Sequence, residues 1–176
     1  MTGKTLAAGA FTLAVLAAGN PASAQSAKES LSAPDRQFVM EASEGGRTEV
    51  DLGELAQRKA SNDAVRQFAQ RMIADHGKAG QELAQLAASK GVELTTQPSR
   101  ADQREKDQLT RQSGPAFDRG YVKMMVKDHE QDVAAFRKMS RQAKDRDLKE
   151  WVTKTLPVLE DHLKTIRQIE PQLAKQ

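Results

Sequence analysis

Four long segments of this chain repeat apolar or small residues at alternating spacings of three and four positions, which is the spacing of one helix face. The segments run from about residue 34 to 59, 63 to 90, 115 to 143 and 145 to 173. No stretch alternates apolar and polar residues as a half-buried strand would. A helix with one apolar face buries that face against other helices. The sequence therefore predicts an all-α fold.

The breaks between the segments predict how the helices connect. A capping cluster at residues 61–63 begins the second segment, and Gly91 suits its C-terminal end. A short, very polar helix is expected over 99–112, before a Ser-Gly-Pro break. The residues around Asn62 resemble those around Asp145, so the chain reads as two helical hairpins. We therefore predict a ferritin-like four-helix bundle, in which a crossover containing the short helix joins the two hairpins.

All three histidines of the chain, His76, His129 and His162, directly follow an aspartate and fall on a core-facing stripe. Burying a polar ring costs about 1–3 kcal/mol unless it finds a partner. Glu49 takes the corresponding inward position in the first segment. Three buried rings on three different helices, with a carboxylate on the fourth, indicate that these side chains are neighbours.

Their distances along the chain from the hairpin turns support a common height in the bundle. Glu49 and His76 lie 13 and 14 residues from Asn62, on opposite sides of the turn. His129 and His162 lie 16 and 17 residues from Asp145. At about 1.5 Å of rise per residue, the two members of each pair reach nearly the same level. We therefore expect all four side chains to meet in the middle of the bundle.

This combination of side chains favours one transition metal ion, with Glu49, His76, His129 and His162 as ligands. Imidazole and carboxylate groups suit Fe, Zn, Cu or Mn. A ligating imidazole also needs an acceptor for its other ring nitrogen. The adjacent aspartates are candidates for that role, each towards a histidine of a neighbouring helix: Asp75, Asp128 and Asp161.

Other functions remain open at this stage. The same four residues could form a metal-free hydrogen-bond network in a structural or interaction protein of the cell envelope. A mononuclear metal oxidoreductase is the enzymatic alternative, although no catalytic residues are predicted. The Glu-x-x-His motif of di-iron bundles is not found, because Ile73, Val126 and Leu159 stand three positions before the histidines.

The first 24 residues have the features of a signal peptide, with Lys4, an apolar run and cleavage between Ala24 and Gln25. Residues 25–33 are then a flexible tail and 34–174 the folded domain, in a periplasmic or secreted protein. No cysteine is available for lipid attachment or a disulfide. The net charge of +3 comes from interspersed opposite charges, which argues against nucleic-acid binding. No later segment is apolar enough to span a bilayer, and an envelope protein partner is compatible with the charged faces.

Three blocks of sequence resemble the bacterial family called domain of unknown function 4142. They are the segment from Phe38, which begins FVMEASEGG and continues to IADH at 73–76; FDRGYVKMMVKDHEQDVAAF at 117–136; and LKEWVTKTLPVLEDHL at 148–163. The resemblance covers about residues 35–170. It implies an exported, ferritin-like four-helix protein without an assigned activity. Members of the family often carry an outer-membrane label, which we interpret as a location in the cell envelope.

Overall fold

A computed structural model describes residues 30–173 of the chain. The proposed signal peptide, its cleavage site at Ala24 and Gln25, and most of the 25–33 tail lie outside the described residues. The described part contains five helices and no strand, which confirms the all-α prediction for these residues. The helices are α1 (Ala33–Lys59), α2 (Asp63–Ser89), α3 (Arg100–Thr110), α4 (Gly114–Gln142) and α5 (Arg146–Leu173).

The helix ends follow local sequence signals. The Asn62 side chain accepts hydrogen bonds from the amides at positions 64 and 65, which begins α2. Ser99 caps α3 in the same way, through the amide of Asp102. At the end of α2, Gly91 adopts a φ of 67°, and the amide of Val92 donates to the carbonyl of Ala87. Such a left-handed glycine satisfies the last carbonyls of a helix and stops it.

The four long helices pack in pairs. α1 lies along α2 and α4 lies along α5, while α2 also contacts α5 and α1 also contacts α4. The α1–α2 pair comes especially close at Gly53, where an added Cβ would lie 2.9 Å from the Ile73 side chain. α3 contacts α1 and α4. None of the five helices combines the length and apolar character needed to cross a bilayer.

Two buried aspartates hold the turns of the two helix pairs from the opposite pair. Near the start of α4, the Asp118 carboxylate accepts a hydrogen bond from the Ser61 hydroxyl. It also accepts from the backbone amides of residues 61 and 62 at 2.9–3.2 Å. Near the start of α1, Asp35 accepts from the amides of residues 144–145 at distances down to 3.1 Å. Both side chains are at most 1% exposed. Each helix pair therefore completes the hydrogen bonding of the other pair's turn.

Candidate metal centre

A polar layer separates two apolar clusters inside the four long helices. One cluster contains Phe68, Tyr121 and Ile166, and the other contains Phe38, Leu83 and Trp151, among further residues. Along every long helix, the sequence passes from one cluster to the other through one inward-facing polar residue: Glu49, His76, His129 and His162. All four are buried, with exposures of 0–7%. The structure therefore brings the four predicted residues into one layer.

The three imidazole rings form a nearly equilateral triangle. Their centroids lie 5.6 Å apart for His76 and His129, 5.3 Å for His76 and His162, and 5.4 Å for His129 and His162. One ring nitrogen from each histidine can be chosen so that all three lie within 4.8 Å of one another. Phe68 packs its ring edge-on against two of these imidazoles, with centroids 6.1 and 6.3 Å away. The three imidazole rings therefore surround a common centre, and the Phe68 ring packs against two of them.

His76 presents one ring nitrogen to a carboxylate and keeps the other free. Its Nδ1 lies 2.9 Å from Oε2 of Glu49, in an ion-pair contact that lacks the alignment of a hydrogen bond. Its Nε2 is buried and has no hydrogen-bond partner among the described residues. A buried polar atom without a partner is costly, so one that occurs in a native core requires an explanation. A ligand bound at Nε2 would supply the missing interaction.

The other two histidines are also anchored through one nitrogen. Nδ1 of His129 lies 3.0 Å from the carbonyl of Met125, and Nε2 of His162 lies 2.8 Å from Oδ2 of Asp75. Because a carbonyl and a carboxylate only accept, these nitrogens carry the protons. The remaining nitrogens, Nε2 of His129 and Nδ1 of His162, lie 3.3 Å apart. This separation matches the ~3.3–3.5 Å between two nitrogens on a tetrahedral metal with bonds of about 2.0–2.1 Å.

Glu49 lies beside the histidine triangle, and its role as a fourth ligand stays a prediction. Its carboxylate lies beside the Nδ1 atoms of His76 and His129, at 2.9 and 3.3 Å. It is absent from the converging group, which consists of the three histidines. The sequence correctly indicated its inward position, but the rotamers of the imidazoles decide which ring atom it meets.

The three aspartates predicted to support the histidines differ in position. Asp75 on α2 accepts from His162 on α5, as expected for a neighbouring helix. Asp161 contacts Arg71 at 2.7 Å, and Arg71 donates to Asp75. Asp161 is therefore linked to His162 only through Arg71 and Asp75. Asp128 makes no hydrogen bond to a histidine within residues 30–173 and faces a cleft beside α1 and α3. Of the three aspartates, only Asp75 contacts a histidine ring directly, because Asp161 pairs with Arg71 and Asp128 lines the cleft.

The environment changes the protonation of the three rings in different ways. Burial lowers the pKa of His162 to about 4, although its contact with Asp75 acts in the opposite direction. Burial also lowers the pKa of His129. For His76, burial is outweighed by the adjacent Glu49 carboxylate, and the pKa is raised. At Glu49, burial alone would raise the pKa of the carboxyl, but the attraction to His76 outweighs burial and the pKa is lowered. Burial therefore favours the neutral form that ligation requires at His129 and His162, whereas the Glu49 carboxylate favours the protonated form of His76.

Asp132 is an acidic neighbour of the layer that is not among the predicted site residues. Together with Glu49 and Asp128 it lines a cleft between α1 and α4. Burial and the charge of Glu49 raise the pKa of Asp132 to about 8 and that of Asp128 to about 7. A signal for Asp132 was available: Glu49 and Asp132 are related by the same spacing that relates Asn62 to Asp145 in the internal repeat.

A family model described as a domain of unknown function, DUF4142, matches residues 20–169 of this sequence. The chain belongs to the DUF4142 family. This assignment confirms the resemblance seen in the three sequence blocks. The family description assigns no activity, and no curated protein matches the chain significantly.

Solved structures share the fold of this DUF4142 protein at low sequence identity. A DUF305 fragment from Deinococcus radiodurans is 14% identical, with a TM-score of 0.72 over 81% of this chain and 99% of that chain. CopM in a Cu(I)-bound form is 16% identical, with a TM-score of 0.66 over 78% and 96% of the two chains. CopM in a silver-bound form is 15% identical, with a TM-score of 0.65 and the same coverage. At these identities the likeness shows the fold alone.

Proposed function

We propose that this DUF4142 protein binds one transition metal ion through Nε2 of His76, Nε2 of His129 and Nδ1 of His162. The observation that carries the proposal is the buried, unpartnered Nε2 of His76, in a triangle where the opposite nitrogen of each ring lies 2.8–3.0 Å from a protein oxygen atom. A metal-ligating histidine needs this arrangement, because the second nitrogen fixes the ring and its tautomer. The pair already at 3.3 Å needs little change, and one nitrogen of His76 lies within 4.8 Å of a nitrogen of each other ring.

We assign Glu49 to orienting His76 and to balancing charge. Its carboxylate contacts the Nδ1 side of the ring at 2.9 Å and is 3% exposed. A buried negative charge at this distance from the site offsets part of the charge of a bound cation. Asp75 has the equivalent orienting role for His162, and Arg71 and Asp161 hold Asp75 in position.

Copper is the metal that we propose. Imidazole nitrogen binds copper, zinc and iron, and Cu²⁺ forms the most stable complexes of the divalent first-row series. The solved structures that share this fold include CopM in Cu(I)-, Cu(II)- and silver-bound forms, which adds support from a protein of similar architecture. Zinc, iron and manganese are the alternatives that the experiment must compare.

The cellular role that we propose is metal handling or stress defence in the cell envelope. This role rests on the signal sequence at residues 1–24, the proposed tail at 25–33 and a folded domain at 34–174. We also propose that the four long helices belong to the ferritin-like class, with α3 in the crossover between the two hairpins. A protein partner in the envelope remains compatible with this role.

The test uses untagged protein that begins at Gln25, with metal content and stoichiometry measured after addition of Cu(I), Cu(II), Zn(II), Fe(II) or Mn(II). We expect one copper ion per chain. Copper at a hundred times its dissociation constant should stabilise the protein by about 2.7 kcal/mol, which corresponds to a melting temperature about 5–10 °C higher for a domain of this size. His129→Ala should abolish both effects, whereas Lys127→Ala, at an exposed position of the same helix, should preserve them.

A metal-free hydrogen-bond network is the competing function, and one contact favours it. Nε2 of His129 and Nδ1 of His162 lie 3.3 Å apart, and they would form a hydrogen bond if one of the two rings carried a proton on both nitrogens. If none of the five ions binds stoichiometrically or changes the melting temperature, the metal proposal is wrong. The polar layer would then be structural, and the interaction-protein function would replace the proposal.

A further inference from the structure

A cleft of about 140 Å³ between α2 and α5 ends at two of the three converging histidines. His76 and His162 line its inner end, and Ala79, Val158 and Leu159 form its walls. Glu82 and Lys154 lie on its rim, joined by an ion pair of 2.7 Å between the two helices. The volume is enough for a few water molecules, at about 30 Å³ each. The cleft therefore connects the outside of the bundle with the histidine triangle.

The triangle leaves a coordination position without a protein ligand. Three ring nitrogens converge, and Glu49 lies on the far nitrogen of His76 and does not line this cleft. Three protein ligands with an open fourth position distinguish reactive metal sites from closed structural ones. The unpartnered Nε2 of His76 belongs to a residue at the inner end of the cleft, so a ligand that enters there arrives beside the metal-binding atoms.

Charge favours an anion as this ligand. A divalent ion bound by three neutral imidazoles and flanked by the single carboxylate of Glu49 retains positive charge. The carboxylate of Asp75, on the same cleft, is already engaged by Arg71 and His162. By contrast, no lysine or arginine among the described residues lines the α1–α4 cleft, whereas Lys78 and Lys154 line the α2–α5 cleft and attract anions.

We infer that the metal centre keeps a fourth coordination position that binds a small anion of two or three heavy atoms, which enters through the α2–α5 cleft. This inference rests on the proposed metal binding by the three histidines. It makes the centre a ligand-exchanging site and identifies Ala79 and Val158 as the residues that control the size of the ligand. The side chains of Ala79 and Val158 have no atom that could bind the metal, so both residues can be changed without altering the metal ligands.

The experiment adds one equivalent of Cu(II) to the full mature protein and titrates azide, with the charge-transfer absorption and the EPR spectrum as readouts. We expect one saturable azide site per copper. Val158→Trp, which fills the cleft from α5, should weaken azide binding at least tenfold while the copper stoichiometry and the azide-free EPR spectrum remain unchanged. Ala79→Leu provides a smaller obstruction from α2, in case the larger one perturbs folding. Ala134→Trp, on an exposed position in the α4–α5 groove, is the matched control and should bind azide normally.

The outcomes separate this inference from the proposal on which it rests. Stoichiometric copper with no azide response, or with equal azide affinity in all cleft variants, overturns the open position and leaves metal binding intact. Failure of the wild-type protein to bind copper overturns both. Azide binding that persists when His129→Ala protein is given copper would show that the responding copper lies outside the centre, and would also overturn the inference.

Discussion

Lowering the pH from 6 to 5 should weaken metal binding by roughly ten- to eightyfold, which is a smaller loss than three ordinary histidines would cause. The reason is that burial lowers the pKa of His129 and brings that of His162 to about 4. His162 is therefore largely neutral across this interval, and His129 takes up its proton at a lower pH than an ordinary histidine does. His76, whose pKa is raised by Glu49, carries the main proton that the metal must displace.

The magnitude follows from the number of displaced protons. One proton changes the affinity tenfold, or about 1.4 kcal/mol, for each pH unit below the pKa of the group. Three independent histidines with a pKa of about 6.5 would release nearly three protons over the same interval, and the affinity would fall by several hundredfold. The sign is the same in both cases: affinity falls as the pH falls. The loss of metal affinity per pH unit should become larger as the pH approaches about 4, where His162 begins to take up a proton.

Calorimetry in buffers of different ionisation enthalpy measures the proton release directly, and chelator competition gives the affinity at each pH. Glu49→Gln is the informative variant, because it removes the carboxylate that keeps His76 protonated. Its proton release at pH 7 should fall well below that of the wild type. Release of close to three protons at pH 6, or a Glu49→Gln variant that behaves like the wild type, would refute this assignment of charges.

Two predictions concern stability. Asp118→Ala should lower the free energy of unfolding, measured with urea, by about 3 kcal/mol, because it removes a buried charged acceptor from two backbone amides. The control Asp107→Ala, at an exposed position, should change the free energy of unfolding little. Equal effects of the two substitutions would contradict the role of Asp118. Asp132→Asn should stabilise the metal-free protein by on the order of 2 kcal/mol at pH 8 and by less at pH 5. The reason is that the wild-type protein loses stability as the pH rises from about 4 to the raised pKa of Asp132, about 8. An unchanged free energy of unfolding at both pH values would contradict that pKa.

The sequence predicted the helices well because their ends depend on local chemistry. Asn62 and Gly91 act within one turn of their own positions, so the ends of α2 agree with the prediction to within a residue. The depth and inward phase of the histidines were also predictable. A helix has a fixed rise and period, so counting from the hairpin turns gives both quantities.

The details of the site depend on information that the helical pattern does not contain. The position of Glu49 relative to the rings follows from side-chain rotamers, which the packing of four helices decides. Asp128 and Asp161 share a sequence context with Asp75, but only Asp75 lies opposite a histidine once the helices are packed. Asp35 and Asp118 were missed because their partners lie 109 and 57 positions away along the chain.

The exchange of turn contacts through Asp35 and Asp118 bears on when the protein can first hold an ion. A hairpin that folds alone leaves the amides of its own turn without their acceptor, and it contributes only part of the histidine triangle. Docking of the two hairpins closes both turns and brings the rings together in the same step. If the three histidines bind an ion as proposed, the nascent chain has no assembled ligand set before docking, and uptake of the ion reports that the whole domain has reached its native arrangement. In a cell, this order would keep half-folded chains from competing with mature protein for scarce metal.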